Sequence, residues 1–139
     1  MKAMLFIHLW LLFTGLADDR WQPRNGQARL IIYRQREFGG STYDIKINDK
    51  QHGALPTNRY LQIDMTPGRV KLESAKDYFA DSQTLWLTLQ AGQTYYVKAV
   101  EDIDFLSRTL LMAPISPEQA QRELSKLKPA KTGLTTRSN

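Results

Sequence analysis

Side chains able to carry out a reaction are few and scattered in this chain of 139 residues. The two histidines are His8, inside an apolar leader, and His52. There is no cysteine, so no thiolate can act as nucleophile or zinc ligand, and a single histidine falls short of a zinc ligand set. His52 therefore reads as a surface residue. The densest acidic stretch, Glu101-Asp102-Ile103-Asp104, offers the oxygen ligands that calcium prefers but lacks the spacing and central glycine of an EF-hand. It is expected to be a solvated loop between strands. Glycosidases need two carboxyl groups facing across a cleft. Asp44 and Asp64 are the right type, yet local alternation puts both on solvent faces and nothing pairs them. Gly39-Gly40-Ser41-Thr42 lacks the lysine and spacing of a phosphate loop, and no Gly-x-Ser-x-Gly elbow occurs. These residues point to no catalytic centre, no metal site and no cofactor.

Binding has better candidates. Trp86, Tyr60 and Tyr96 each alternate with inferred core neighbours and so point away from the core. On one sheet they would form a stacking platform for a glycan such as peptidoglycan, or for a protein partner. The competing arrangement packs them beneath a C-terminal helix or the Trp21 segment. A second set is basic: Arg122, Lys126, Lys128 and Lys131, with Arg137 beyond them. Residues 18–115 carry 13 basic and 12 acidic side chains, whereas residues 116–139 carry five basic and two acidic. The overall charge of +5 is thus concentrated in the tail. That distribution argues against a nucleic-acid-binding face on the domain and suits either weak contact with an anionic membrane surface or a merely solubilising tail.

The elements that must position these residues are mostly strands. Residues 30–33, Leu-Ile-Ile-Tyr, form a β-branched and aromatic run suited to a strand buried on both sides. Tyr43, Ile45 and Ile47 share one face of the next strand, opposite Asp44 and Lys46. Asn48-Asp49-Lys50 turns the chain back into residues 51–55. Leu61, Ile63 and Met65 alternate in turn, followed by a Thr66-Pro67-Gly68 turn and by Val70 and Leu72. Further strands are expected around Leu85, Leu87 and Leu89, over residues 94–100, and over residues 105–112. Six to eight short strands with one polar face each predict an all-β sandwich over residues 27–115.

Both ends differ from this pattern. Met1-Lys2, an apolar run over residues 3–13 and the small residues Gly15 and Ala17 match a secretion signal, with cleavage expected after Ala17. The apolar stretch is short for a membrane span. Residues 18–26 read as a polar leader. Ser116-Pro117-Glu118-Gln119 is a helix start, with Ser as N-cap and Pro in the first turn, predicting a short helix over residues 116–128. Residues 129–139 are expected to be a disordered basic tail.

Residues 28–34 (Ala-Arg-Leu-Ile-Ile-Tyr-Arg), residues 43–50, Pro67-Gly68 and, most closely, Ala91-Gly92-Gln93-Thr94-Tyr95-Tyr96-Val97 resemble a bacterial envelope family known as domain of unknown function 2846. The resemblance spans residues 28–100. It implies an immunoglobulin-like or transthyretin-like β-sandwich and offers no catalytic residues. Many family members are lipoproteins whose signal is followed by a lipid-accepting cysteine, a residue this sequence lacks. A periplasmic or secreted, non-enzymatic binding or accessory module with an envelope protein partner is therefore expected, with a glycan-binding adaptor as the alternative.

Overall fold

The computed structural model describes residues 22–75 and 83–131. The expected secretion signal, with its cleavage point at Ala17, lies outside the described residues. The elements in chain order are β1 (Ala28–Arg34), β2 (Tyr43–Ile47), β3 (Lys50–Leu55), β4 (Arg59–Met65), β5 (Gly68–Ala75), β6 (Gln83–Leu89), β7 (Thr94–Ile103), β8 (Arg108–Pro114), α1 (Pro117–Leu124) and β9 (Lys128–Pro129). They build two open sheets, ordered β8-β7-β1-β4-β9 and β3-β2-β5-β6. This is the β-sandwich the alternation predicts.

The sheets meet over an apolar interior. Leu30, Ile32, Leu61, Ile63, Val97, Ala99, Leu110 and Met112 from the first face Tyr43, Ile45, Ile47, Leu55, Val70, Leu72 and Leu89 from the second. Each set occupies alternate positions, because successive strand side chains point to opposite faces. The first sheet is also covered on its outer side. There Ile31, Tyr33 and Tyr96 pack against Ala120 and Leu124 of α1. β1 is therefore the centre of three layers, between β4 and a parallel β7, and all seven of its residues are buried. Its unbroken apolar run is the signature of that position.

Turn chemistry fixes the registers. Asn48 and Asp49 both have positive φ, as the two-residue β2–β3 hairpin requires, and Asn48 Oδ1 also accepts from the Lys71 backbone N–H. The β2–β3 register shifts between Ile45 and Lys46, opposite His52. His52 thus lies at a bulge within β3, its imidazole pKa lowered by burial and by Lys50.

The structure corrects several expected boundaries. β7 runs through Ile103, so Glu101 and Asp102 are strand residues paired with Leu110 and Thr109 rather than loop residues. The last long strand begins at Arg108 because the hairpin turn occupies residues 104–107. The helix ends at Leu124, with Ser116 as N-cap accepting from Gln119. Lys128–Pro129 is a short parallel strand on β4, and the Ala130 N–H donates to Tyr60 O at 2.7 Å. The start of the expected disordered tail is therefore sheet edge. Its composition is polar, but backbone hydrogen bonds to an exposed edge need no apolar side chain.

Candidate functional site

The acidic candidates do not converge. Asp44 and Asp64 belong to different sheets, each on the outward face of its strand, so the sandwich separates them. Asp64 is also no free solvent carboxylate. Arg29, its direct cross-strand partner, donates from Nε to Oδ1 at 2.7 Å and from a terminal nitrogen to Oδ2 at 2.9 Å. That hydrogen-bonded pairing keeps the Asp64 pKa below the usual carboxylate range, against the opposing effect of burial. Among the described residues no three His, Cys, Asp or Glu side chains converge as a metal site.

The aromatic candidates are not one platform. Tyr60 on β4 and Tyr96 on β7 are in the five-stranded sheet, whereas Trp86 on β6 is at the edge of the other. Tyr96 is only 5% exposed and packs beneath α1, with partly buried Tyr60 against the same cluster. The helix covers the outward positions that alternation alone assigns to solvent. Trp86 remains 51% exposed, with the Arg69 guanidinium over its ring at 4.3 Å.

The basic residues divide similarly. Arg122 lies in the last turn of α1, and Lys126 in the exposed turn after it. Lys128 and Lys131 instead line a groove of about 590 Å³ with Arg59, Thr42, Ala54, Pro56, Pro129 and Ala130. β9 creates this juxtaposition by setting Lys128 opposite Arg59. Nothing local in the sequence marks Arg59 as a neighbour of the tail. The groove is thus cationic along one side, with proline and alanine between.

A buried polar cluster braces this end of the molecule. Arg34, wholly buried, donates to Ser41 O at 2.5 Å, to Leu55 O at 2.9 Å and to Glu37 Oε2 at 2.6 Å. It thereby clips the 35–42 loop to the end of β3, next to the groove residues Thr42 and Pro56. Glu37 Oε1 accepts from the Glu101 backbone N–H, and Glu101 Oε1 from the Ser41 N–H. Burial opposes charge on Glu101, but the Tyr43 hydroxyl, the Ser41 N–H, Arg34 and Arg108 more than offset it and lower its pKa. Burial, with Glu101 nearby, raises the Tyr43 pKa. Gly40 closes the cluster: a Cβ there would press into Thr57 Cγ2 and stand 3.0 Å from an Arg34 guanidinium nitrogen.

The sequence holds a partial signal for this cluster. Charged Arg29 and Arg34 flank an apolar run, and charges on a strand buried on both faces must be paired. Arg34 finds Glu37 three residues on, whereas Asp64 and Leu55 come from segments that only the folded topology brings close.

No curated protein and no solved structure matches the chain significantly. A family profile described as "Protein of unknown function (DUF2846)" matches residues 24–107, which hold β1 to β7 and much of the clipped loop end. The chain belongs to that family, as the resemblance of its strand and turn motifs implies.

Proposed function

We propose that this chain is an exported, non-enzymatic binding or accessory module of the bacterial envelope, with its ligand seated at the clipped loop end. The groove carries this reading: Arg59 and the sequence-distant Lys128 and Lys131 stand around one concavity. Three cations on a proline- and alanine-lined surface suit a ligand bearing phosphate or carboxylate groups, such as an acidic segment of an envelope protein. Of the two carboxylates of catalytic type, Asp64 is held by Arg29 and Asp44 lies on the other sheet. Export rests on the leader over residues 1–17.

Two measurements test the reading. Fractionation should place the protein in the periplasm with Asp18 at its N terminus, and cytosolic protein retaining residues 1–17 would remove the envelope assignment. Titration with acidic peptides and with soluble peptidoglycan fragments should show salt-sensitive binding that Arg59→Ser/Lys128→Ser abolishes. Binding unchanged in that variant would dismiss the groove. Binding of the glycan fragments that depends on Trp86 instead would move the site to the β6 edge of the four-stranded sheet.

A further inference from the structure

The end of the sandwich that carries the groove also carries the most exposed apolar side chains among the described residues. Phe38, Phe105 and Leu106 are essentially fully exposed, and Ile103 more than half. Three hydrogen bonds bring them to one end. The Glu101 N–H donates to Glu37, the Ser41 N–H to Glu101, and Arg108 to Ser41 Oγ, so the 35–42 loop lies against the β7–β8 hairpin. Phe38, Phe105 and Leu106 are each held out by a tight turn. Phe38 precedes Gly39, whose φ of 69° continues the turn. Phe105 and Leu106 occupy the centre of the 104–107 turn, closed by the Asp104 N–H donating to Ser107 O and by Asp104 Oδ1 accepting from Phe105 N–H.

We infer that this end seats on an anionic lipid bilayer, with Phe38, Phe105 and Leu106 in the interfacial layer and the surrounding cations on lipid phosphates. This rests on the reading of the loop end as the binding surface and specifies its ligand. Shape and charge select the occupant. The apolar groups are separate projecting tips rather than a flat patch, so a rigid partner would need matched pockets, whereas a bilayer deforms around them. Exposed Arg36 and Arg108 flank the tips, and Arg59, Lys128 and Lys131 stand at the adjoining groove. Against these five cations the acids at this end among the described residues are exposed Asp102 and Asp104 and partly exposed Asp44, while Glu37 and Glu101 are engaged around Arg34. Among the described residues no helix is long and apolar enough to cross a membrane, so the described contact is interfacial.

The test is co-sedimentation of the purified chain with vesicles of phosphatidylethanolamine and phosphatidylglycerol, and with vesicles of phosphatidylcholine alone. Every variant keeps the same N terminus, so any contribution from residues 1–17 is common to all. The wild type should bind the anionic vesicles and lose binding as salt rises. Phe105→Ser/Leu106→Ser should weaken binding by about tenfold or more, with an unchanged circular dichroism spectrum because both side chains are exposed. Trp86→Ser, on edge strand β6 away from the tips and the groove, should bind as the wild type does. Equal binding by Phe105→Ser/Leu106→Ser, or no preference for the anionic vesicles, would overturn the assignment. Self-association lost in that variant, without vesicle binding, would overturn it in favour of a second copy of the chain. If vesicles fail while acidic peptides still bind in an Arg59- and Lys128-dependent way, only the lipid assignment falls and the groove stands.

Discussion

The guanidinium of Arg29 grips both carboxylate oxygens of Asp64, its direct cross-strand partner, at 2.7 and 2.9 Å. A residue that alternation offers as a free acid is thereby a structural ion. Asp64→Asn should cost about 1–3 kcal/mol, because the mostly buried Arg29 loses its charged partner. Urea denaturation checks this, and an unchanged midpoint would show that the pair is not a clamp.

Gly40 is expected to resist substitution for lack of space. Gly40→Ala forces a methyl group against Thr57 Cγ2 beside the Arg34–Glu37 pair, at about 1–3 kcal/mol. Thr57→Ser removes that methyl and should recover part of the loss, so the double mutant should be more stable than the two single effects predict. Strict additivity would show that the contact does not cause the loss.

Dependence on pH should differ at the two extremes. Asp64, Glu101 and Glu123 have lowered pKa values. Their stabilisation is complete above the unfolded carboxylate pKa of about 4 and is lost as pH falls through the folded values. His52, lowered by burial, adds a milder loss as pH falls below about 6.5, since the unfolded imidazole takes up its proton more readily. Burial, with Glu123 and Glu101 respectively, raises Tyr33 and Tyr43. Their contribution is intact below about pH 10 and is lost as pH rises beyond it, when the unfolded phenols ionise first. Denaturation midpoints across pH should show a plateau with both limbs, and Tyr33→Phe should shallow the alkaline limb.

Docking of α1 depends on few contacts. Leu124 is buried against the outer face of the five-stranded sheet, and Tyr33 donates to Glu123 Oε2 at 2.6 Å. Leu124→Ala should cost about 2–4 kcal/mol and Tyr33→Phe about 1 kcal/mol. Hydrogen exchange should show faster exchange across residues 117–124 in both variants, and an unchanged rate for Leu124→Ala would show that the helix docks by other means.

The sandwich was legible because alternation reports which face of a strand meets the core, as at Tyr43, Ile45 and Ile47. The doubly buried β1 was legible as well, from residues 30–33. The limits have physical causes. Alternation says that Tyr96 points away from the inter-sheet core, yet it carries no information on what covers the other face, and α1 covers it. Lys128–Pro129 forms a strand through backbone hydrogen bonds to an edge, which leave no hydrophobic period in the sequence. Arg59 and Lys128 stand opposite each other only because β9 adds to β4. The groove is thus a product of topology, invisible to a local reading. Exposed Phe38 and Phe105 look like ordinary apolar residues until their turns are seen to hold them in solvent.

The most direct test of a binding surface at the loop end is site-specific photocrosslinking in intact cells. A benzophenone side chain is placed at Phe38, Thr42 or Phe105, and at Thr84 or Thr88 on the outer face of β6 as control. The proposed loop-end site predicts adducts from the first three positions and none from the controls. Adducts concentrated at Thr84 and Thr88, with none from the loop end, would contradict it.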